Sequence, residues 1–181
     1  MGFLRDCLNT GRIWIRSRPS VRFGSGTVLG RGVVAKPGAG RIAIGDHCTL
    51  DTGVVLETYG GVIDLSSRVF LGPYTVVYGH GGVSIGEGTL IAMHCRILSS
   101  NHAVPPIGVE IRGQPDELLP TRIGRDVWLG AGVTVLGGVT IGDGCIVGAG
   151  AVVTKDLPSG CLATGVPAVI RKYREGSQKS E

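Results

Sequence analysis

Aromatic side chains are scarce in this sequence, which has three Phe, two Trp and four Tyr among its 181 residues. The core of a helical or layered domain usually contains more of these large rings. The sequence also lacks an apolar run of about eighteen residues, the length that a membrane-spanning helix requires. The scarcity of rings favours a narrow core made of small aliphatic side chains, and the missing apolar run gives no sign of a membrane-spanning helix.

The charge and cysteine patterns exclude further classes of protein. The formal net charge is only +4, and the basic residues crowd the two ends of the chain without a long basic stripe. We therefore expect no nucleic-acid partner, whereas a small phosphorylated ligand suits this charge. The five cysteines lack paired spacing and follow no secretory leader. They predict reduced thiols in a cytoplasmic protein.

Glycine, by contrast, is abundant, with 32 residues that do not follow the Gly-X-Y pattern of collagen. From residue 123 to 153 a small aliphatic residue recurs every six positions, and a glycine follows most of them. These aliphatic residues are Ile123, Leu129, Val135, Ile141, Val147 and Val153. A period of six fits neither the turn of a helix nor the alternation of a strand. It predicts a coil with three flat sides, each directing one aliphatic side chain inward, and with glycine-containing corners.

The fifth position of each six-residue unit is also small and apolar, and Cys48, Cys95 and Cys145 fall there. We interpret these thiols as structural fillers without a redox or metal role. Three units make one coil of about eighteen residues, and neighbouring coils stack as parallel strands about 4.8 Å apart. The period alone leaves the handedness of the coil open.

The repeat predicts three segments. Residues 1–20 form a short N-terminal helical cap and connector, residues 21–157 the coiled β domain, and residues 158–181 a C-terminal extension with a short basic helix over 168–175. A cap over the first coil is favoured over a basic segment on a membrane surface, because Gly11 interrupts its short apolar face. Insertions of two or three residues in the earlier units should bulge at corners.

The repeat stops between Ser99 and Arg122, where four prolines and several charges replace it. Repeat units end at Ile97 and resume at Ile123, so residues 99–122 predict an arm that leaves the rod and returns. An irregular stretch of this length within a regular domain is typically functional.

Several motifs stand together in this chain. They are the repeat [Leu/Ile/Val]-Gly-x-x-[small]-x, Asn101–His102, the hexad with Trp128, Gly148-Ala-Gly-x-Val-Val-Thr154-Lys155-Asp-x-Pro158 and Gly165-Val-Pro167. Together they resemble the hexapeptide-repeat acyltransferases, and more narrowly the galactoside, maltose and polysaccharide O-acetyltransferases. The resemblance implies an all-β fold, a left-handed parallel β-helix. It also implies a homotrimer with active sites between adjacent subunits and acetyl-CoA as co-substrate.

His102 is the candidate general base. Among the histidines at 47, 80, 94 and 102, only His102 lies where the repeat breaks. Acyl transfer from a thioester to a hydroxyl needs a base that titrates near neutrality, which imidazole provides. The catalytic histidine of the family that the chain resembles falls at this position. Direct attack by the acceptor oxygen then needs no covalent enzyme intermediate.

The resemblance also implies a cofactor wall. Trp128 would pack beside the active-site cleft, and Ala131 and Ala149, eighteen residues apart, are small enough to leave room for the pantetheine chain. Thr154 and Lys155 match a pair that contacts the distal part of the cofactor. Either Arg171 or Lys172 would meet the 3′-phosphate of CoA.

The acceptor side departs from that family. The sugar transferases carry an asparagine upstream, where this chain has Tyr74 and its neighbours, followed by the unusual run Tyr78-Gly-His80-Gly-Gly. We expect Tyr78, His80 and Asn101 to contact a sugar acceptor. The resulting hypothesis is acetyl-CoA-dependent O-acetylation of a sugar hydroxyl in saccharide or surface polysaccharide biosynthesis.

Three alternatives stay open. N-acetylation of an amino sugar or nucleotide-sugar would use the same base and cofactor wall. A zinc hydrase on the same fold needs three convergent histidines, and the spacing of His80, His94 and His102 does not favour it, so we expect no metal. A non-catalytic scaffold would not need to keep both His102 and the Thr154–Lys155 pair.

Overall fold

The computed structural model describes residues 14–15 and 20–176. The predicted N-terminal cap and its membrane-facing alternative lie almost entirely outside these residues. Within the described part the regular elements are short β-strands joined by turns, with one 3-10 turn at Ile111–Gly113. No helix in these ranges is long and apolar enough to cross a membrane.

The strands stack on three faces of a parallel β-helix. The first face has β2 Val21–Phe23, β5 Arg41–Ile44, β8 Val62–Leu65, β11 Val83–Ile85, β16 Thr121–Ile123 and β19 Thr140–Ile141. The second face has β3 Val28–Leu29, β6 Thr49–Leu50, β9 Phe70–Leu71, β12 Leu90–Ile91, β17 Trp128–Leu129, β20 Ile146–Val147, β22 Cys161–Thr164 and β23 Val169–Tyr173. The third face has β1 Trp14–Ile15, β4 Val34–Lys36, β7 Val55–Glu57, β10 Val76–Tyr78, β13 Arg96–Ile97, β18 Thr134–Val135 and β21 Val152–Val153.

The predicted inward residues form the core. All six aliphatic positions from Ile123 to Val153 are buried, with at most 3% exposure. Cys48, Cys95 and Cys145 are fully buried in the same core, at the inward position that the repeat predicts. The fold is therefore the predicted left-handed β-helix of hexapeptide repeats, with small side chains filling a narrow core.

The corners between faces absorb the irregular spacing of the early repeats. The first corner joins the first face to the second, and the second corner joins the second face to the third. The third corner joins the third face to the first face of the next coil. Leu50 pairs with Leu71, 21 residues later, whereas Leu129 pairs with Val147, 18 residues later. The extra residues lie in turns at the third corner, at residues 37–40 and 58–61, as the insertions predict.

The arm leaves from the third corner. Two short antiparallel strands, β14 Ser100–His102 and β15 Asp116–Leu118, form its base, and His102 is directly opposite Asp116 in their register. The Leu119 N–H donates a hydrogen bond to the carbonyl of buried Ser99, 2.8 Å away, which closes the base. The arm thus projects from the corner at which earlier coils carry only small insertions.

The prediction of a helix over residues 168–175 is wrong. Residues 169–173 form β23, which runs antiparallel to β22 after a turn at 165–168. Val169 and Ile170 are β-branched and suit a strand. The added strand also covers the open edge that β22 would present at the end of the second face.

Candidate active site

The general base predicted at His102 contacts a carboxylate. Its Nδ1 lies 2.6 Å from Oδ1 of Asp116, well within the distance of an ion pair. The His102 side chain is 72% exposed and that of Asp116 is 29% exposed. The hairpin register brings the two residues together, since they are cross-strand partners. The second ring nitrogen of His102 is not used by this contact.

A second histidine contacts the same carboxylate. Nδ1 of His80 lies 3.3 Å from Oδ2 of Asp116, so the acid lies between an imidazole of the arm and one of the rod. His80 is in the third-corner turn between β10 and β11. The structure therefore brings the sequence-predicted residues His80 and His102 to the same acid.

Two tyrosines extend this cluster along the third corner. Tyr59 packs edge-on against Tyr78, with ring centroids 5.2 Å apart, and its ring centroid lies 5.9 Å from that of His80. The hydrogen bond with Tyr78, partial burial and the negative charge of Glu57 raise the pKa of Tyr59 to about 12. Glu57 is also paired with Lys36 at 3.3 Å. The surface beside His102 is therefore polar and aromatic.

Asn101 directly precedes His102 on β14. It is exposed and opposite Glu117 in the hairpin. Because side chains alternate along a strand, Asn101 and His102 project to opposite sides of the hairpin. Asn101 is thus not part of the cluster around Asp116.

The small residues predicted for the cofactor wall lie at the second corner. Ala131 and Ala149 follow β17 and β20 in successive coils, and the Gly150 N–H donates to the Ala131 carbonyl at 2.8 Å. A Cβ at Gly130 would lie 2.6 Å from the backbone nitrogen of Ala149, so the glycine lets these coils approach closely. We call these small residues of two successive coils, Ala131 and Ala149 with their neighbouring glycines, the second-corner column.

Trp128 lies on the second face beside that column. Its side chain is directed outward and 52% exposed, as its position in the hexad predicts. It pairs with Leu90 on one side and Ile146 on the other. Leu90 is also 52% exposed, so the second face carries an uncovered apolar column next to the second corner.

The residues predicted to contact the distal part of CoA and its 3′-phosphate lie in different places. Thr154 and Lys155 are exposed after β21, at the third corner. Arg171, on β23, donates from Nε to the Thr164 hydroxyl at 2.9 Å, which holds it near the end of the second-corner column. Lys172 is exposed and pairs in register with Leu162 on the second face.

Within one chain, then, the third face separates His102 from Ala131 and Ala149. The other histidines lie elsewhere. The ring of His94 stacks on that of Tyr74 at the second corner, with ring centroids 5.4 Å apart. Among residues 14–15 and 20–176, no three His, Cys, Asp or Glu side chains are grouped so as to hold a metal ion. Within one chain His94 lies at the second corner, whereas His80 and His102 lie at the third.

Comparison with known proteins identifies the family. A bacterial transferase hexapeptide family, with six repeats, matches residues 120–155. The putative lipopolysaccharide biosynthesis O-acetyl transferase WbbJ of Escherichia coli K12 is 37% identical over 145 residues, which cover 74% of this chain and 73% of WbbJ. The chain belongs to the hexapeptide-repeat acyltransferases. This confirms the resemblance that the sequence motifs indicate.

Other relatives of this hexapeptide-repeat chain are transferases too. The galactoside O-acetyltransferase of Escherichia coli K12 is 32% identical over 134 residues, or 73% of this chain and 64% of the relative. The probable acetyltransferase Rv3034c of Mycobacterium tuberculosis is 34% identical over 149 residues, or 81% of this chain. The match spans only 50% of the length of that Mycobacterium protein.

Solved structures share the fold of this hexapeptide-repeat protein. AntD, an N-acyltransferase from Bacillus cereus in complex with dTDP and 3-hydroxybutyryl-CoA, superposes with a TM-score of 0.73 at 21% identity, over 85% of this chain and 83% of AntD. The hexapeptide-repeat acetyltransferase VCA0836 from Vibrio cholerae has a TM-score of 0.57 at 26% identity, over 83% of this chain and 72% of its own.

Sequence reasoning missed Asp116 and Tyr59 in this hexapeptide-repeat protein. Asp116 is one of only three acidic residues in the arm, with Glu110 and Glu117. A search for an acid that orients the base would have reached those three residues. The hairpin register, which selects Asp116, has no periodic signal in the sequence.

Proposed function

We propose that this protein transfers an acetyl group from acetyl-CoA to a hydroxyl of a sugar, in the biosynthesis of a saccharide or surface polysaccharide. The 2.6 Å contact between His102 and Asp116 carries the proposal, because it places an oriented, exposed imidazole at the irregular part of the coil. Relatives named as O-acetyltransferases, WbbJ among them, support the reaction class. We also retain the prediction of a cytoplasmic location.

In the proposed reaction His102 acts as general base. With Nδ1 protonated toward Asp116, Nε2 has a free lone pair that takes the proton of the acceptor hydroxyl. The acceptor oxygen attacks the thioester carbonyl directly, the C–S bond breaks, and the proton on Nε2 passes to the departing thiolate. Asp116 stabilises the imidazolium that forms between these steps. No covalent enzyme intermediate is needed, consistent with the burial of Cys48, Cys95, Cys145 and Cys161.

The second corner is the place that we propose for the acyl donor. The side chains of Ala131 and Ala149 are small and not buried, so we expect an extended pantetheine chain to lie along them. Arg171 is held beside the end of this column by Thr164, so we favour it over Lys172 as the partner of the 3′-phosphate. Trp128 would border the same column, and Lys155 with Thr154 would contact the distal part of CoA from the third corner.

We propose that the working form is a homotrimer in which one subunit supplies His102 and its neighbour supplies the second-corner column. A second copy whose second corner meets this third corner unites groups that the third face separates in one chain. The half-exposed Leu90 and Trp128 support such an interface, since exposed apolar columns mark contact surfaces. In this arrangement Tyr78, with Asn101 at the edge, would contact the acceptor sugar.

Thiol release from acetyl-CoA across a panel of sugars, nucleotide-sugars and amino sugars tests this function. We expect release with a sugar hydroxyl, and a loss of kcat of about 10²–10⁴-fold in His102→Ala. Full activity in that variant would refute the base assignment. Transfer only to amino sugars would show N-acetylation instead. Binding of acetyl-CoA without release on any acceptor would favour a scaffold.

A further inference from the structure

Asp116 connects the exposed base to a residue of the rod. Its Oδ1 contacts Nδ1 of His102 at 2.6 Å and its Oδ2 contacts Nδ1 of His80 at 3.3 Å. The side chains of Asp116 and His80 are 29% and 26% exposed, compared with 72% for His102. The groups that hold the base are therefore much less exposed than the base itself.

His80 stands where the arm is fastened to the coil. The Gly81 N–H donates to the hydroxyl of buried Ser99 at 3.0 Å, and that hydroxyl donates to the Tyr78 carbonyl at 2.7 Å. The turn that carries His80 thus binds the start of the arm from both of its sides. The ring of Tyr59, 5.9 Å from the imidazole, packs against His80 as well. These contacts fix His80 relative to the arm.

An aspartate carboxylate held at only one oxygen rotates easily, because its terminal torsion has a broad energy minimum. Holding both oxygens removes that freedom. His102 is exposed, so the direction of its Nε2 depends on how firmly Asp116 is held. Support of this kind, one residue removed from the reacting atoms, determines how precisely a site is arranged.

We propose that His80 is a positioning residue for acyl transfer: it holds Asp116 so that the other carboxylate oxygen orients the base, His102. The inference rests on the proposed function of His102. It gives His80 a different role from the acceptor contact that the sequence suggests, since its Nδ1 is directed at the acid and not at the open surface.

The first test is a double-mutant cycle in the full-length protein. His80→Leu removes the donor, and we expect kcat to fall about tenfold with unchanged KM for both substrates. His80→Asn keeps a nitrogen donor near the position of Nδ1, and we expect it to restore most of the rate. In an Asp116→Ala background His80→Leu should cause no further loss, because His80 then has nothing to act through.

Three results would overturn the proposal. They are an equal additional loss in the Asp116→Ala background, a raised acceptor KM at constant kcat, or no rescue by His80→Asn. The matched control is His47→Asn, a histidine exposed at the first corner and remote from the arm, which should leave kcat unchanged.

A second measurement does not depend on activity and so separates this proposal from the proposed function. In protein labelled with ¹⁵N-histidine, the imidazole shifts of His102, assigned by comparison with His102→Ala, report which nitrogen carries the proton. We expect protonated Nδ1 in the neutral ring of the wild type and a mixture of both tautomers in His80→Leu. An unchanged tautomer in His80→Leu would refute the positioning role even if no acceptor were found.

Discussion

At the scale of single residues, Tyr59 at the third corner, beside Tyr78, has a perturbed pKa. The Tyr59 hydroxyl shares a hydrogen bond with Tyr78 and faces the charge of Glu57, and these effects with burial raise the pKa of Tyr59 to about 12. A negative phenolate there would lose the hydrogen bond and be repelled by the carboxylate. The neutral phenol is therefore the form that the folded protein favours.

This shift predicts how stability depends on pH. Because the folded-state pKa of Tyr59 lies above its ordinary value of 10.0, the contribution is fully present below pH 10 and is lost as pH rises toward about 12. Tyr78→Phe should lower the pKa of Tyr59 toward 10. Absorbance titration at alkaline pH, with Tyr59→Phe identifying the transition, measures this, and an unmoved transition in Tyr78→Phe would contradict it.

The residues of the site differ in how far sequence could find them. His102 was predictable because the repeat breaks beside it and because its neighbours match a known motif. Asp116 was not, since it comes fourteen positions later in a stretch without period, and only the hairpin register brings it opposite His102. Tyr59 and His80 meet through coil stacking across a corner whose length varies. Contacts between irregular segments leave no periodic signal.

At the scale of elements, the attachment of the arm depends on one glycine. A Cβ at Gly81 would collide with the carbonyl oxygen of Ser99 and would lie 2.5 Å from the backbone nitrogen of Leu119. Both contacts are with backbone, which cannot move aside as a flexible side chain can. Ser99 and Leu119, at the two sides of the base of the arm, therefore pack on the rod only because this position has no side chain.

Gly81→Ala should lower the free energy of unfolding by about 1–3 kcal/mol, since overpacking against backbone forces a shift of the arm. Urea unfolding measures the loss, and faster proteolysis within residues 99–122 should accompany it. Gly113→Ala is the matched control: this glycine lies in the arm itself, and no atom would come within 4 Å of its Cβ. Equal effects of both substitutions would show that the collision at Gly81 is harmless.

The elements themselves were predictable in proportion to their regularity. The hexads from Ile123 to Val153 place every inward residue correctly, because each step of six residues brings the chain to the next flat side of the coil. The prediction of a C-terminal helix was wrong. The basic composition of residues 168–175 does not indicate the strand that forms there, because its partner, β22, is positioned by the stacked coils. The pairing with β22, and not local propensity alone, determines that this segment is a strand.

At the scale of the whole molecule, the separation of His102 from Ala149 by the third face predicts shared active sites. His102→Ala removes the proposed base but leaves the second corner of the same subunit intact. Ala149→Trp fills the second-corner column with a bulky side chain but leaves the base intact. Each variant alone should be nearly inactive, the first by loss of proton transfer and the second by exclusion of the acyl donor.

Mixed oligomers of these two inactive variants should recover activity. If each site takes the base from one subunit and the column from the next, a cleft is intact when an Ala149→Trp subunit faces a His102→Ala subunit in that order. Random assembly after co-refolding gives this order in about a quarter of the clefts, whatever the number of subunits in the ring. The measured activity should therefore approach a quarter of the wild-type value. If base and column served each other within one chain, every site would carry a defect, and the mixture would be as inactive as its parents.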